Sequence, residues 1–212
     1  MTKYIKREKI DNSDIIEISN AIKEGKLVVF PTDTVYGIGT NAYDKEACER
    51  VYEVKGRPKA KPVIVLISDI SMLKELVDCI KPLEQKLIDA FWPGPLTIKF
   101  KKKNGILPNI VCASERYFTA RLINKGILHK IIQKSGFPII APSANFSGKP
   151  VEKKIENIIN EFDGKVDYIL DYGDIENNIV STIVQIVDDK AFIIREGRIK
   201  KEEIAKIVPI KN

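Results

Sequence analysis

The stretch Lys55-Gly56-Arg57-Pro58, followed by Lys59 and Lys61, gathers four cations within seven residues. Residues two apart in an extended segment point the same way, so Lys55 and Arg57 can close on one anion, the guanidinium as a planar fork and the ammonium as a point charge. That pairing suits a triphosphate. It is not a P-loop, because the chain has no GxxxxGK[ST] pattern, and Gly37-Ile38-Gly39 lacks the third glycine of a dinucleotide fingerprint. Taken alone, the stretch reads more readily as solvated basic surface.

A second group of chemistry-bearing residues lies upstream. Thr32, Asp33 and Thr34 set two hydroxyls and a carboxylate in consecutive positions, directly after the apolar run 27–30 and Pro31. Tyr36 adds a ring with a polar tip, and Gly37 and Gly39 open the backbone to close approach by another group. A loop of this kind over 31–39 can hold a small zwitterion, or it can be a turn whose Asp and Thr side chains bond neighbouring amides. Ser143 and Asn145 repeat the spacing beyond the run 138–141, with a hydroxyl and an amide that orient a ligand without adding charge. Ser181 and Thr182 open the run 180–187, and Arg195 closes the next one. Polar groups at several strand ends are the pattern of an α/β ligand crevice.

Other chemistries are disfavoured. His129, the single histidine, lies within an apolar helical pattern and reads as a helix residue rather than a catalytic base. There is no GxSxG elbow, and a two-histidine zinc site is impossible. Cys48, Cys79 and Cys112 are more than thirty residues apart, a spacing that suits neither zinc nor a disulfide framework and points to reduced thiols. What remains is catalysis by positioning and electrostatics, which suits phosphoryl chemistry.

The elements that must position these groups alternate along the chain. Asp14 with Glu17 resembles a helix cap ahead of an Ile15, Ile18, Ile22 stripe, with Gly25 as the stop. A strand at 27–30 precedes the threonine loop. Asp44 can cap a helix bearing Ala47, Val51 and Val54, which leads through the basic loop into a strand at 63–67. Pro82 opens a helix with Leu83, Leu87 and Phe91, stopped by Trp92-Pro93-Gly94-Pro95 before an alternating strand at 96–100. A strand near 118–122, a helix with Ile127, Leu128, Ile131 and Ile132 closed by Gly136, and a strand at 138–141 follow. A helix with Ile155, Ile158, Ile159 and Phe162, strands near 168–172, 180–187 and 191–195, and a short helix with Ile204 and Ile207 complete the chain. The reading is one α/β domain over 1–212, with its core at about 14–197, built on a twisted mixed, largely parallel sheet flanked by helices.

At 212 residues and 44% hydrophobic content the chain can bury a sizeable core without metal or disulfide support. A formal charge of +6 favours phosphate-rich partners, nucleotides or RNA. Residues 1–14 are charged throughout and no apolar run reaches membrane-spanning length, so a soluble, cytoplasmic protein with no membrane partner is expected.

Five segments in order resemble the YrdC/TsaC family of threonylcarbamoyl-AMP synthases. They are Pro31 to Gly37, Lys55 to Pro58 with Lys61-Pro62, Phe91-Trp92-Pro93-Gly94-Pro95-Leu96-Thr97, Ala141 to Gly148, and Ser181-Thr182. The resemblance implies a YrdC-like fold around a positively charged crevice, and an enzyme making threonylcarbamoyl-AMP and pyrophosphate from L-threonine, bicarbonate and ATP with Mg²⁺. A separate threonylcarbamoyl transferase would then modify an adenosine of tRNA. It further implies that Thr34, Arg121, Ser143 and Ser181 contact threonine, with Thr32 shaping that end. Arg57, Lys61, Asn145 and Arg195 would contact ATP, joined by Lys55, with Lys55 and Arg57 as the catalytic cations. Leu66 stands where many members carry a histidine, and the extra C-terminal domain of longer members is not expected. Two other readings fit the same residues: a non-catalytic module holding tRNA or double-stranded RNA by its phosphates, and an ATP-using carbamoyl transfer enzyme with another acceptor.

Overall fold

The computed structural model describes residues 1–212 except 7, 9, 176–178 and 212. Strand β1 (Lys3–Lys6) precedes helix α1 (Asn12–Lys23), and a hairpin of β2 (Val28–Pro31) and β3 (Tyr36–Asn41) follows. The next elements are α2 (Lys45–Lys55), β4 (Ile64–Ile67), α3 (Ile70–Leu76), α4 (Pro82–Phe91), β5 (Leu96–Lys101) and β6 (Tyr117–Leu122). After them come α5 (Gly126–Ser135), β7 (Ile139–Ile140), α6 (Ile155–Phe162), β8 (Tyr168–Asp171), β9 (Thr182–Val187), β10 (Lys190–Arg195) and α7 (Lys201–Ala205).

These strands form a sheet in the order β1-β8-β2-β3-β7-β4-β6-β5-β9-β10. It is mixed: β1–β8, β2–β8, β4–β6 and β5–β9 run parallel, while β2–β3, β3–β7, β4–β7, β5–β6 and β9–β10 run antiparallel. The parallel share is therefore smaller than the alternation of helices and strands suggests. Short hairpin connections such as 32–35 return the chain antiparallel without a crossover helix.

Local chemistry explains most boundaries. Helix α1 begins one turn earlier than the Asp14–Glu17 pair suggests. Asp11 is the cap, accepting from the amides of Ser13 (2.7 Å) and Asp14 (3.1 Å), while the Asp14 carboxylate accepts from the Asp11 amide at 3.0 Å. Glu17 instead pairs with Lys3 at 2.7 Å. Asp44 caps α2 as expected, accepting from the Ala47 amide at 3.0 Å. Strand β1 carried no apolar alternation because only Ile5 of Lys3–Lys6 turns inward. At the far end the helix stops at Ala205, with Ile204 buried and Ile207 beyond it.

The region 31–39 is mostly hairpin rather than loop. Pro31 pairs with Tyr36 and Phe30 with Gly37, leaving 32–35 as the turn. Gly37 and Gly39 serve the sheet: a Cβ at Gly39 would lie 1.8 Å from the Ile140 carbonyl oxygen. The core is contiguous and includes Ile18, Ile22, Val29, Ile38, Val51, Val65, Ile98, Ile131, Ile140 and Val184. No helix among the described residues is long and apolar enough to cross a membrane.

All three thiols are free; Cys48 and Cys112 are buried and Cys79 is exposed. Burial pushes the Cys48 thiol up to about 12 and also raises that of Cys112. An aromatic disulfide reagent is therefore expected to label one thiol per native chain rapidly and the other two only in denaturant. Three thiols reacting at one rate in the native protein would contradict this burial.

Candidate functional site

One cavity of about 280 Å³ collects residues from most of the sequence segments that could bind a ligand. Thr32 and Thr34 enter from the β2–β3 turn, Arg57 from beyond α2, Arg121 from β6, Ser143 from the loop after β7, Ser181 from just before β9, and Arg195 from the end of β10. Three arginines and, with Tyr117 and Thr119 of β6, six hydroxyl-bearing residues thus line one space. Lys99 also lines it, whereas no Asp or Glu lines it among the described residues.

The turn is held by its own side chains. Thr32 Oγ1 donates to the Val35 carbonyl at 2.6 Å and accepts from the Thr34 and Val35 amides, both at 3.1 Å. Thr34 is buried, its hydroxyl 3.1 Å from that of Thr32. Tyr36 does not line the cavity. Its ring is buried and its hydroxyl donates to the Gly173 carbonyl at 2.8 Å and accepts from the Tyr172 amide at 2.9 Å, which anchors the segment after β8.

Lys55 and Arg57 part company. Lys55 is the last residue of α2, and Gly56 then adopts a left-handed backbone with φ 57°, so the extended geometry that would align the two side chains does not exist here. Lys55 is 1% exposed and does not line the cavity. Its Nζ donates to the carbonyls of Ser143 and Asn145, and its own carbonyl accepts from the Ser147 amide at 2.8 Å. The direct phosphate role read for Lys55 gives way to a structural one, a clamp on the loop that carries Ser143. Burial, and next the Arg57 charge, pull this ammonium down to about 8, with Glu161 opposing.

Arg57 is oriented by backbone. Nε donates to the Lys61 carbonyl at 3.1 Å and Nη2 to the Pro62 carbonyl at 2.7 Å. Lys61 contributes that carbonyl, but its side chain is exposed and outside the cavity lining. Asn145 is likewise outside the lining; its amide nitrogen donates to the Phe146 and Lys149 carbonyls at 3.1 and 2.7 Å. Its Oδ1 accepts from Ser143 Oγ at 2.5 Å, which turns the Ser143 lone pairs to other donors.

Elsewhere in the lining, Ser181 Oγ lies 2.8 Å from Thr97 Oγ1, and Arg195 donates to the Ser181 carbonyl through Nε (3.2 Å) and Nη2 (2.8 Å). Desolvation, followed by the Arg121 charge, lowers the Arg195 guanidinium below its ordinary value. Arg121 is 3% exposed, donates through Nη1 to Asp33 Oδ1 at 2.6 Å, and leaves a buried Nε without a partner. Leu66, paired with Arg121 across β4 and β6, is fully buried.

Sequence reasoning missed the apolar part of the lining, Tyr117, Val151, Val180, Ile183 and Ile194. The signal existed in part: Thr97 and Lys99 alternate with apolar residues on β5, as do Tyr117, Thr119 and Arg121 on β6. His129 is not at the cavity; its Nδ1 lies 3.0 Å from the Ile123 carbonyl oxygen.

The Sua5/YciO/YrdC family model, whose description reads "Telomere recombination", matches residues 20–197. A threonylcarbamoyl-AMP synthase of Pyrococcus abyssi is 37% identical over 95% of this chain and 59% of its own length. The Bacillus subtilis threonylcarbamoyl-AMP synthase is 36% identical over 93% of this chain and 57% of its own. The crystal structure of P. abyssi Sua5 complexed with L-threonine superimposes with a TM-score of 0.90 at 34% identity, covering 100% of this chain and 62% of that one. This chain thus spans about three-fifths of the length of these relatives. The matched region contains every cavity residue from Thr32 to Arg195, and the chain belongs to the Sua5/YciO/YrdC family.

Proposed function

We propose that this protein is a threonylcarbamoyl-AMP synthase, joining L-threonine, bicarbonate and ATP into threonylcarbamoyl-AMP and pyrophosphate. The observation that carries the reading is the meeting of Arg57, Arg121 and Arg195 with the hydroxyls of Thr34, Ser143 and Ser181 in one cavity that no carboxylate lines among the described residues. Phosphate binding alone needs no such set of neutral acceptors. A small zwitterion needs both, a guanidinium for its carboxylate and oxygens for its ammonium. The threonine-bound relative supports the same assignment.

In this reading Arg121 takes the threonine carboxylate through its unpartnered Nε edge, while Thr34, Ser143 and Ser181 receive the amine and hydroxyl. Arg57 and Arg195 hold the triphosphate, with Lys61 reaching it from the exposed side. The threonine nitrogen adds to bicarbonate-derived CO₂, and the carbamate oxygen attacks the α-phosphorus as pyrophosphate leaves. The arginines draw two anions together against their repulsion and stabilise charge on the departing group. Asn145 and Lys55 act through the loop that carries Ser143. Among the described residues no cluster of three or more His, Cys, Asp or Glu could hold a metal ion. The arginines and hydroxyls do not fit a protein-held divalent cation, and magnesium belongs to the Mg·ATP substrate. The product would pass to a separate transferase that modifies a tRNA adenosine.

The test is incubation with L-threonine, bicarbonate and Mg·ATP, following pyrophosphate and a new adenylate. Threonine-dependent release is expected; no release, with RNA affinity that falls steeply with salt, would replace this reading by an RNA-binding one. Arg57→Ala is expected to raise the KM for ATP about tenfold to a hundredfold, and Ser143→Ala to raise that for threonine about tenfold. Unchanged kinetics in both would misplace the assignment.

A further inference from the structure

Arg121 is oriented by a residue outside the cavity. Asp33 is not among the residues lining the 280 Å³ cavity; it lines another of about 470 Å³, which has Thr32 in common with the first. From there its carboxylate meets Arg121 Nη1 at 2.6 Å. The guanidinium is a rigid plane, so fixing one nitrogen fixes the direction of the others. Nε is buried and has no partner among the described residues, a donor that an acceptor in the cavity lined by Arg121 would satisfy once the lining shifts to admit it.

The same ion pair divides the three arginines into two kinds. Among the described residues, Arg57 and Arg195 form no ion pair with a carboxylate and bond instead to backbone carbonyls, which leaves their charge uncompensated. Arg121 alone is compensated, by Asp33. Burial lowers the Arg121 guanidinium, and the Asp33 charge acts in the opposite sense. A polyphosphate gains most at the uncompensated pair, whereas a singly charged carboxylate suits a guanidinium that is half neutralised and still offers one open edge.

We infer that Asp33 is a positioning and selectivity residue: it aims the open edge of Arg121 at the amino-acid carboxylate and, by its charge, keeps phosphate groups out of that subsite. The inference rests on the threonine-binding reading above. It makes Asp33 act through Arg121 without touching either substrate.

The experiment is calorimetric titration of the full chain with L-threonine, in the presence and absence of inorganic pyrophosphate, for the parent, Asp33→Asn and Asp33→Glu. Asp33→Asn keeps size and an acceptor but removes the charge. Its threonine Kd is expected to rise about tenfold or more, and pyrophosphate is expected to compete with threonine in this variant alone. Asp33→Glu is expected to stay within about threefold of the parent, since it restores the charge. A purely structural role would not create pyrophosphate competition. Parent-like threonine binding by Asp33→Asn overturns the inference and leaves the synthase reading intact, as does equal weakening in both variants. If Asp33→Asn fails to fold by circular dichroism, the ion pair is a stability element and the inference falls. If the parent itself binds no threonine, with or without ATP, the functional reading falls and takes the inference with it.

Discussion

Lys55→Met is expected to lower turnover about a hundredfold, with the loss spread over both threonine and ATP rather than confined to the nucleotide. Methionine matches the length of the lysine stem but removes the donor that joins the Ser143 and Asn145 carbonyls. The buried Asn145 carbonyl would then lack its partner, at about 1–3 kcal/mol, and the part-buried Ser143 carbonyl would lose less, while removal of a desolvated ammonium offsets part of that cost. Stability should therefore fall less than activity. The larger consequence is geometric, because the Ser143 loop loses its tie to the end of α2. Measuring both KM values, kcat and a urea midpoint checks this. A variant affected only in its KM for ATP would return Lys55 to direct phosphate contact.

Gly39→Ala is expected to be the most destabilising single-methyl change in the sheet, at about 3 kcal/mol, the upper part of the overpacking range. The added Cβ would sit 1.8 Å from the Ile140 oxygen and 3.0 Å from its carbonyl carbon. Both belong to backbone, so no side-chain rotation relieves the clash. Strand β7 must shift, and with it the loop joined to the hairpin by Ile38 N to Pro142 O (3.0 Å) and Ala144 N to Tyr36 O (2.7 Å). Weakened threonine binding should accompany the lower urea midpoint. A midpoint equal to that of the parent would show that β7 is free to move away.

Much of this arrangement is legible along the chain. Apolar runs ending in Thr, Ser or Arg mark the strand ends, and Thr34, Arg57, Arg121, Ser143, Ser181 and Arg195 do converge. Failures occur where a local rule assumes a backbone the chain does not adopt. The pairing of Lys55 with Arg57 presumes extended geometry, yet a helix end and a left-handed glycine separate them. Tyr36 looks ligand-facing because Pro31 to Gly39 is polar, but hairpin pairing turns its ring inward. Asp33 gains its meaning from Arg121, 88 residues away, a relation that no periodicity encodes.

The order of strands also bears on how the protein acquires its site during synthesis. Strand β8 inserts between β1 and β2, and β9 lies between β5 and β10, so late segments complete rows begun by early ones. A nascent chain that has released its first 170 residues already holds Thr34, Arg57, Arg121 and Ser143, but neither Ser181 nor Arg195. With non-local pairing of this kind, the cavity is complete only once the chain through Arg195 has emerged, and an intermediate that lacks β9 exposes the edge of β5 with which β9 pairs.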